Sequence, residues 1–317
     1  MHLKPSAGIA ALAAFGLLAA ATATLWRRRR RSRLPSALRA VGALQEELEA
    51  AVELAELAGA RLNAAISETK RIASKGVADI VTETDKANEE LIFEGLRRRF
   101  PADAFIGEES SSGGVSAANL GPNKTWIVDP IDGTTNFVAG LPLTCVSIGL
   151  CVGGRPVLGV VFNPCMDEMY IGVRGHGAYL NGQRLKVSDT TRLDEAVVIQ
   201  EYGYEREDGI LALMSTSAAL LGNKVRALRQ FGSGCLDICW VAAGRCDAVY
   251  AGVAHEGLCK GWMPWDYCAG VVIGEEAGAV FKKFDGTDFD IFYRKDFLCC
   301  TPGVLDELRG VLNQAAS

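Results

Sequence analysis

The sequence predicts a mixed α/β or α+β fold of one or two closely packed subdomains. Nearly half of the 317 residues are hydrophobic, which is enough for a large core, and the 35 glycines indicate many tight turns. After two predicted N-terminal helices, strand patterns come first, and an alternation of strands and helices follows them. We expect residues 38–317 to form the folded body of the protein, behind an N-terminal segment at 1–37.

The N-terminal segment contains 19 consecutive uncharged residues, from Gly8 to Trp26, dominated by alanine and leucine. As a helix, this run would extend about 28 Å, which is enough to cross the hydrocarbon core of a bilayer. A basic block at 27–33 follows directly, and this order is typical of a membrane anchor with the basic side in the cytoplasm. The sequence therefore predicts an N-terminal hydrophobic helix that places residues 8–26 in a membrane, with the domain at 38–317 facing the cytosol. Organelle targeting and an untranslocated cytosolic tail are the alternatives.

The rest of the chain is acidic. Residues 1–33 hold seven of the 33 basic residues and no acid, which leaves 26 basic and 38 acidic residues and a net charge of −12 for the remainder. Such a surface disfavours nucleic acid as a partner. The ten cysteines form no CxxC pair and lie mostly in apolar runs, so we expect reduced, buried thiols rather than a zinc site or a disulfide framework.

The first predicted elements are helical. Apolar residues recur every three or four positions from Leu38 to about Lys70, which indicates one long amphipathic helix. A short strand or turn at 79–85 then leads to a second helix that starts near Lys86, capped by Thr84 or Asp85. The segment 110–124 is rich in Ser, Gly and Asn and is predicted to be a loop.

Strand patterns dominate the middle of the chain, and strands alternate with helices after it. The turn Asn181-Gly182 is typical of a hairpin. The middle strands are predicted at 144–152, 157–162 and 169–173. Later strands are predicted at 196–201, 225–231 and 248–251, and helices at 209–221, 233–243 and 264–276.

The most informative run is WIVDPIDGTTNF, at 126–137. An apolar strand here ends in Asp129 and Asp132, which are followed by a glycine and two hydroxyls. Paired carboxylates with room for water and a phosphate suit a hard cation such as Mg²⁺. Two other acidic sites lie among apolar residues, at Glu108 in FIGEES and at Asp266 in WMPWDYCAG. Buried carboxylates are costly without a compensating charge, so the three sites together predict a metal centre.

These three motifs resemble those of the inositol monophosphatase family of Mg²⁺-dependent, Li⁺-sensitive phosphomonoesterases, over roughly residues 40–315. The resemblance implies a layered α-β-α-β-α sandwich of the inositol monophosphatase/fructose-1,6-bisphosphatase type. It also implies two to three Mg²⁺ ions in each active site, a small phosphorylated polyol as substrate, and a homodimer. A membrane-tethered protein that kept the fold but lost catalysis is the alternative outside enzymology.

The resemblance also implies roles for individual residues. Glu108, Asp129 and the carbonyl of Ile131 match the first metal site, while Asp129, Asp132 and Asp266 match the second. Thr134 matches the threonine that orients the attacking water, with Asp85 as its partner, and Glu108 contributes to catalysis through a third, weaker ion. Lys75 is a candidate near that ion, Glu109 a supporting residue, and His255 a surface or loop residue.

Substrate-binding residues are implied in the same way: Gly133, Thr134, Thr135, Gly232, Ser233, Gly234 and Glu256. The match weakens at the family's substrate-contacting glutamate, where this chain has Ala251, with Glu256 as the next candidate. An additional Lys260 lies in a longer loop. Inositol monophosphate is therefore the default substrate. Histidinol phosphate, adenosine 3′,5′-bisphosphate and sugar phosphates are the alternatives.

Overall fold

The computed structural model describes residues 34–74, 80–111, 120, 124–203, 208–252, 261–293 and 295–316. The predicted membrane segment at 8–26 lies outside these ranges, as do Lys75, His255, Glu256 and Lys260. In the part of the chain that is described, none of the helices combines the length and the apolar character that a membrane span requires.

The described chain forms the predicted five-layer α-β-α-β-α sandwich. The helices are α1 (Gln45–Ala65), α2 (Glu83–Arg99), α3 (Thr134–Ala139), α4 (Asp208–Gly222), α5 (Gly234–Ala242), α6 (Pro264–Ala277) and α7 (Leu305–Ala316). Helices α1 and α2 cover one face of a seven-stranded sheet, and α5 and α6 fill the space between that sheet and a five-stranded one. Helices α4 and α7 cover the outer face of the smaller sheet.

The larger sheet has the strand order β3-β4-β5-β6-β7-β8-β9. Its strands are β3 (Ala104–Gly107), β4 (Lys124–Asp132), β5 (Cys145–Val152), β6 (Arg155–Asn163), β7 (Glu168–Val173), β8 (Gly177–Leu180) and β9 (Gln183–Arg184). Strands β3 and β4 are parallel, and each later pair is antiparallel. Asn181 and Gly182 both have positive φ between β8 and β9, which confirms the hairpin turn.

The smaller sheet has the order β11-β10-β12-β14-β13. Its strands are β10 (Val197–Glu201), β11 (Ala227–Arg229), β12 (Ala248–Gly252), β13 (Val280–Lys282) and β14 (Asp296–Cys300). Strand β10 pairs in parallel with both β11 and β12, whereas β14 is antiparallel to its two neighbours. A separate hairpin joins β1 (Ile72–Ser74) to β2 (Ile80–Thr82).

Three glycines bring α6 unusually close to the larger sheet. Gly149, Gly159 and Gly172 are neighbours across β5, β6 and β7. A Cβ at Gly159 would lie 2.3 Å from the carbonyl oxygen of Ala269 in α6, and one at Gly149 would lie 2.4 Å from Cys268 Sγ. Residues with side chains would therefore push the helix outward, and the glycines set its distance from the sheet.

The two N-terminal helices differ from prediction at their ends. The helix predicted from Leu38 to Lys70 begins only at Gln45 and ends at Ala65. Two 3₁₀ turns, at Ser36–Leu38 and Gly42–Leu44, precede it, and Gly42 at the start of the second has a φ of +64°. Helix α2 begins at Glu83 and not near Lys86.

Neither Thr84 nor Asp85 caps α2, so that prediction was wrong. Thr82 is the N-cap, and its hydroxyl accepts from the backbone N–H of Thr84. Asp85 occupies the third helical position and accepts from the backbone N–H of Thr82, which completes a capping box.

Candidate active site

Three aspartates meet at the junction of β4, α3 and α6. Carboxylate oxygens of Asp129, Asp132 and Asp266 all lie within 4.8 Å of one another. Asp129 and Asp132 are at the end of β4, where a register shift separates them, and Asp266 lies in the first turn of α6. We call these three residues the acidic cluster.

Asp129 and Asp132 of the acidic cluster are buried, and Asp266 is half-buried. Burial, together with neighbouring Glu108 and Asp132, raises the pKa of Asp129 well above its usual range. Burial also raises the pKa of Asp132, and burial and Asp132 raise that of Asp266. Within the described ranges, no lysine, arginine or histidine forms an ion pair with any of the three. A bound divalent cation would offset this repulsion, and oxygen donors of this kind suit Mg²⁺.

Hydrogen bonds from backbone N–H groups and one hydroxyl position the carboxylates. Oδ1 of Asp129 accepts from the N–H of Ile131 at 3.0 Å, and Oδ2 of Asp266 accepts from the N–H of Met263 at 2.6 Å. Oδ2 of Asp132 accepts from the hydroxyl of Ser233 at 2.5 Å. The acidic cluster is therefore held in place by the ends of β4 and α6 and by the loop that precedes α5.

Glu108 is brought to the same place by the parallel pairing of β3 with β4. Its backbone N–H donates to the carbonyl of Val128 at 3.3 Å, so Glu108 lies beside Asp129. The next residue, Glu109, donates its N–H to the buried Glu89 at 2.8 Å, and burial raises the pKa of Glu89. The structure thus places Glu108 next to the acidic cluster.

Thr134 and Asp85 form a hydroxyl–carboxylate pair beside the acidic cluster. The hydroxyl of Thr134 is 3.3 Å from Oδ1 of Asp85 and 3.0 Å from the carbonyl oxygen of Ile131. Burial raises the pKa of Asp85 to about 6, against the lowering effect of its hydrogen bonds with Thr82. A carboxylate with this pKa is suited to accept a proton near neutral pH.

The predicted phosphate-binding turn is compact. Gly133 has φ of +80°, and a Cβ there would lie 2.8 Å from the carbonyl oxygen of Leu143, so a side chain would not fit. Helix α3 begins directly after it, with Thr134 buried and Thr135 exposed.

The loop at 231–234 lies against this turn, which brings the predicted substrate-binding residues that the structure describes to one region. The side-chain amide of Asn136 donates to the carbonyls of Phe231 and Gly232 at 2.6 and 3.3 Å, and Glu201 accepts from both of their N–H groups. Gly234 packs against Trp262.

Sequence reasoning missed several residues that organise the site. Asn136 lies inside the GTTNF motif, and this position could have marked it as a site residue. Nothing in the sequence, however, predicts its contact with the loop at 231–234. The thiols of Cys145 and Cys235 were predicted only to be buried, yet the structure places both beside Asp132. Ala251 lies buried in β12, where a methyl group replaces the carboxylate expected from the resemblance.

Comparison with known proteins agrees with this geometry. The model of the inositol monophosphatase family matches residues 43–315. The chain belongs to the inositol monophosphatase family. Inositol monophosphatase 1 of Solanum lycopersicum is 45% identical over 250 residues, which are 79% of this chain and 89% of the relative. The chain is accordingly a phosphoric monoester hydrolase.

Solved structures share the fold. The extragenic suppressor protein suhB of Bartonella henselae is 30% identical with a TM-score of 0.75, and the match covers 85% of this chain and 99% of that one. SaIMPase-II, solved with inositol monophosphate bound, is 25% identical with a TM-score of 0.68, over 84% of this chain and 94% of that one. The five-layer sandwich of this chain is thus that of inositol monophosphatases.

Proposed function

We propose that this chain hydrolyses inositol monophosphate, or a similar small polyol phosphate, in a Mg²⁺-dependent reaction. The observation that carries the proposal is the acidic cluster, in which two buried carboxylates and the half-buried Asp266 lie within 4.8 Å of one another beside the Thr134–Asp85 pair. The relatives named above, which are inositol monophosphatases, support the choice of substrate class.

The residues that would hold the cations are Glu108, Asp129, Asp132, Asp266 and the carbonyl of Ile131. Their oxygens suit Mg²⁺, and burial raises the pKa values of the three aspartates, which supports an added positive charge at the cluster. When bound, the ions supply Lewis-acid activation of water and neutralise charge on the phosphoryl oxygens. The proposed number of ions is two to three.

The chain's own residues supply the proton transfer and the phosphate contacts. The Thr134 hydroxyl would accept a hydrogen bond from the attacking water and pass its own proton toward Asp85. Gly133 and Thr135 would bind the phosphate next to this water, and the loop at 232–234 would line the polyol side. Placing donor and acceptor groups in advance in this way lowers the barrier to in-line attack.

A phosphate-ester panel tests the substrate. Purified full-length protein would be assayed against inositol monophosphates, histidinol phosphate, adenosine 3′,5′-bisphosphate and fructose bisphosphate, with and without Mg²⁺. We expect the highest kcat/KM for an inositol monophosphate. If another ester is hydrolysed faster, the proposed reaction stands but the proposed substrate is wrong.

Catalytic inactivity, as in a tethered scaffold, is the competing hypothesis. The complete acidic cluster and the activity of the relatives argue against it. If the protein hydrolyses none of the esters in the panel in the presence of Mg²⁺, the scaffold hypothesis is favoured.

We also propose that residues 8–26 anchor the chain in a membrane with the catalytic domain in the cytosol. The support is the uncharged run followed by the basic block at 27–33. Tagged full-length protein should fractionate with membranes, and a variant lacking 1–33 should not. If the full-length protein is instead imported into an organelle, the membrane-anchor proposal is wrong.

A homodimer is proposed from family membership. Light scattering of the purified protein after size-exclusion chromatography would measure its mass, and a monomeric mass would overturn the proposal.

A further inference from the structure

Two buried thiols adjoin the acidic cluster. Cys145 begins β5 directly opposite Asp132 in the β4–β5 pairing, and its Sγ lies 3.6 Å from Oδ2 of Asp132. Cys235 lies in the first turn of α5, and its backbone N–H donates to the same oxygen at 2.9 Å. One oxygen from Asp132 and the two sulfurs all lie within 4.8 Å of one another, and all three residues are buried.

This group differs chemically from the acidic cluster. Mg²⁺ prefers oxygen ligands, whereas thiolates select softer cations such as Zn²⁺ and Cd²⁺. Zn–S bonds are about 2.3 Å long, so two thiolates on one tetrahedral ion lie about 3.8 Å apart. The sulfurs of Cys145 and Cys235 lie within 4.8 Å of each other, so small side-chain movements would bring them to the separation that one ion requires.

We propose that Cys145, Cys235 and Asp132 form a binding site for a thiophilic divalent cation, and that its occupation inhibits hydrolysis. Asp132 belongs to both groups of ligands, so a cation held by the two sulfurs withdraws one carboxylate from the acidic cluster. Binding converts both thiols to thiolates, and the two protons leave for solvent. Asp266 is only half-buried, so we expect the cation to enter from the side of the acidic cluster.

The chain offers a matched control. Cys151 and Cys268 form another buried thiol pair, with their sulfurs 3.5 Å apart between β5 and α6. Replacing this pair removes the same number of thiols but leaves Cys145, Cys235 and Asp132 intact. The two double variants, Cys145→Ala/Cys235→Ala and Cys151→Ala/Cys268→Ala, therefore distinguish the proposed site from a general effect of buried thiols.

The test is a Cd²⁺ titration of full-length, chelator-treated protein without substrate. The ultraviolet charge-transfer absorption of cadmium thiolate and the released protons would be measured together. We expect one Cd²⁺ per chain, with two protons released. In Cys145→Ala/Cys235→Ala, the absorption should disappear and affinity should fall at least about 100-fold, because two ligands are lost. In Cys151→Ala/Cys268→Ala, the thiolate absorption and the Cd²⁺ affinity should both persist.

Inhibition is measured as the Cd²⁺ concentration that halves each variant's own Mg²⁺-dependent activity. We expect this concentration to rise at least about 100-fold in Cys145→Ala/Cys235→Ala and to stay unchanged in the control. Equal inhibition of both variants without a thiolate band would assign Cd²⁺ to the oxygen ligands alone and overturn the proposal. Loss of the band in the control would also overturn it.

Folding of each variant is checked by circular dichroism. If the double variant does not fold, the single variants Cys145→Ala and Cys235→Ala replace it, and each must weaken the band. Because absorption and proton release need no substrate, this result is independent of which phosphate ester the enzyme hydrolyses.

Discussion

The hydroxyl of Thr134 lies 3.3 Å from Oδ1 of Asp85, which links the first turn of α3 to the first turn of α2. The other oxygen of Asp85 accepts from both the backbone N–H and the hydroxyl of Thr82. The carboxylate is thus held at both oxygens. The capping box of α2 therefore orients the group that we propose as the base.

Replacing Asp85 with Asn should lower kcat about 100-fold or more, because the amide keeps the shape and loses the base. Asp85 must be ionised to accept a proton, and its pKa is raised to about 6. Wild-type kcat should therefore fall as the pH drops through about 6, and this fall should be absent from the residual activity of Asp85→Asn. The measurement is kcat against pH at saturating Mg²⁺ and substrate. The exposed Glu83→Gln in the same helical turn is the control, and an unchanged profile in Asp85→Asn would remove Asp85 from the mechanism.

Asp129→Asn should reduce Mg²⁺-dependent turnover by roughly 1,000-fold, since several kcal/mol of charge stabilisation is lost. The same change should make the metal-free protein more stable, because it relieves repulsion among buried acids. Thermal unfolding with and without Mg²⁺ measures this effect. Wild type should gain about 2.7 kcal/mol at 100 times the dissociation constant, and the variant much less. Equal stabilisation of both proteins would show that Mg²⁺ binds elsewhere.

Asp237→Asn should stabilise the protein. Asp237 in α5 is fully buried, and among the described residues no N–H or hydroxyl donates to either of its oxygens; its polar neighbour is the carboxyl of Glu201. Burial and neighbouring Glu201 raise its pKa well above the usual range. The folded state therefore retains a proton that the unfolded chain releases above about pH 4, and stability falls as the pH rises between the two pKa values.

An amide at position 237 needs no such proton and can donate to Glu201. We expect the melting temperature to rise by about 2–4 °C near pH 8 and by less near pH 5. Asp247→Asn is the opposite control. Asp247 accepts hydrogen bonds from the hydroxyl of Ser188 and the N–H of Val197, so its replacement should destabilise the protein. A pH-independent loss of stability in Asp237→Asn would contradict the prediction.

Gly159→Ala should destabilise the fold by about 1–3 kcal/mol, because its Cβ would overlap the backbone of Ala269 in α6. It should also lower kcat, since α6 carries Asp266. Gly310→Ala in α7 meets no atom within 4 Å and should instead stabilise by about 0.5–1 kcal/mol. Urea denaturation and kcat of the two variants would be compared. If Gly159→Ala behaved like Gly310→Ala, the close approach of α6 would not be structurally important.

Local sequence patterns predicted the strands and helices that have clear periodicity. Strand β6 extends the predicted segment at 157–162 by two residues at its start and one at its end, and α6 is predicted to within one residue. Strands β13 and β14 and helix α7 were not predicted. The capping of α2 was misassigned because Thr82, Thr84 and Asp85 are all good N-cap residues, and only the three-dimensional course of the chain selects one.

The candidate site was predictable where its chemistry lies in contiguous motifs. Asp129, Asp132 and Asp266 are close together as expected. The contacts of Asp132 with Ser233, Cys145 and Cys235 join residues about 13 and 100 positions apart, and no local pattern relates them. Such contacts follow from how the sheets and central helices pack, which pairwise spacing along the chain does not encode.

The central position of α6 has a kinetic consequence for refolding. This helix contacts the larger sheet along one side and α5 along another, and it brings Asp266 to residues more than 130 positions earlier in the chain. Contacts of such long range form late, because loop closure must precede them. Recovery of helical and strand signals should therefore run ahead of recovery of enzymatic activity, and an early collapsed state would lack a working catalytic centre.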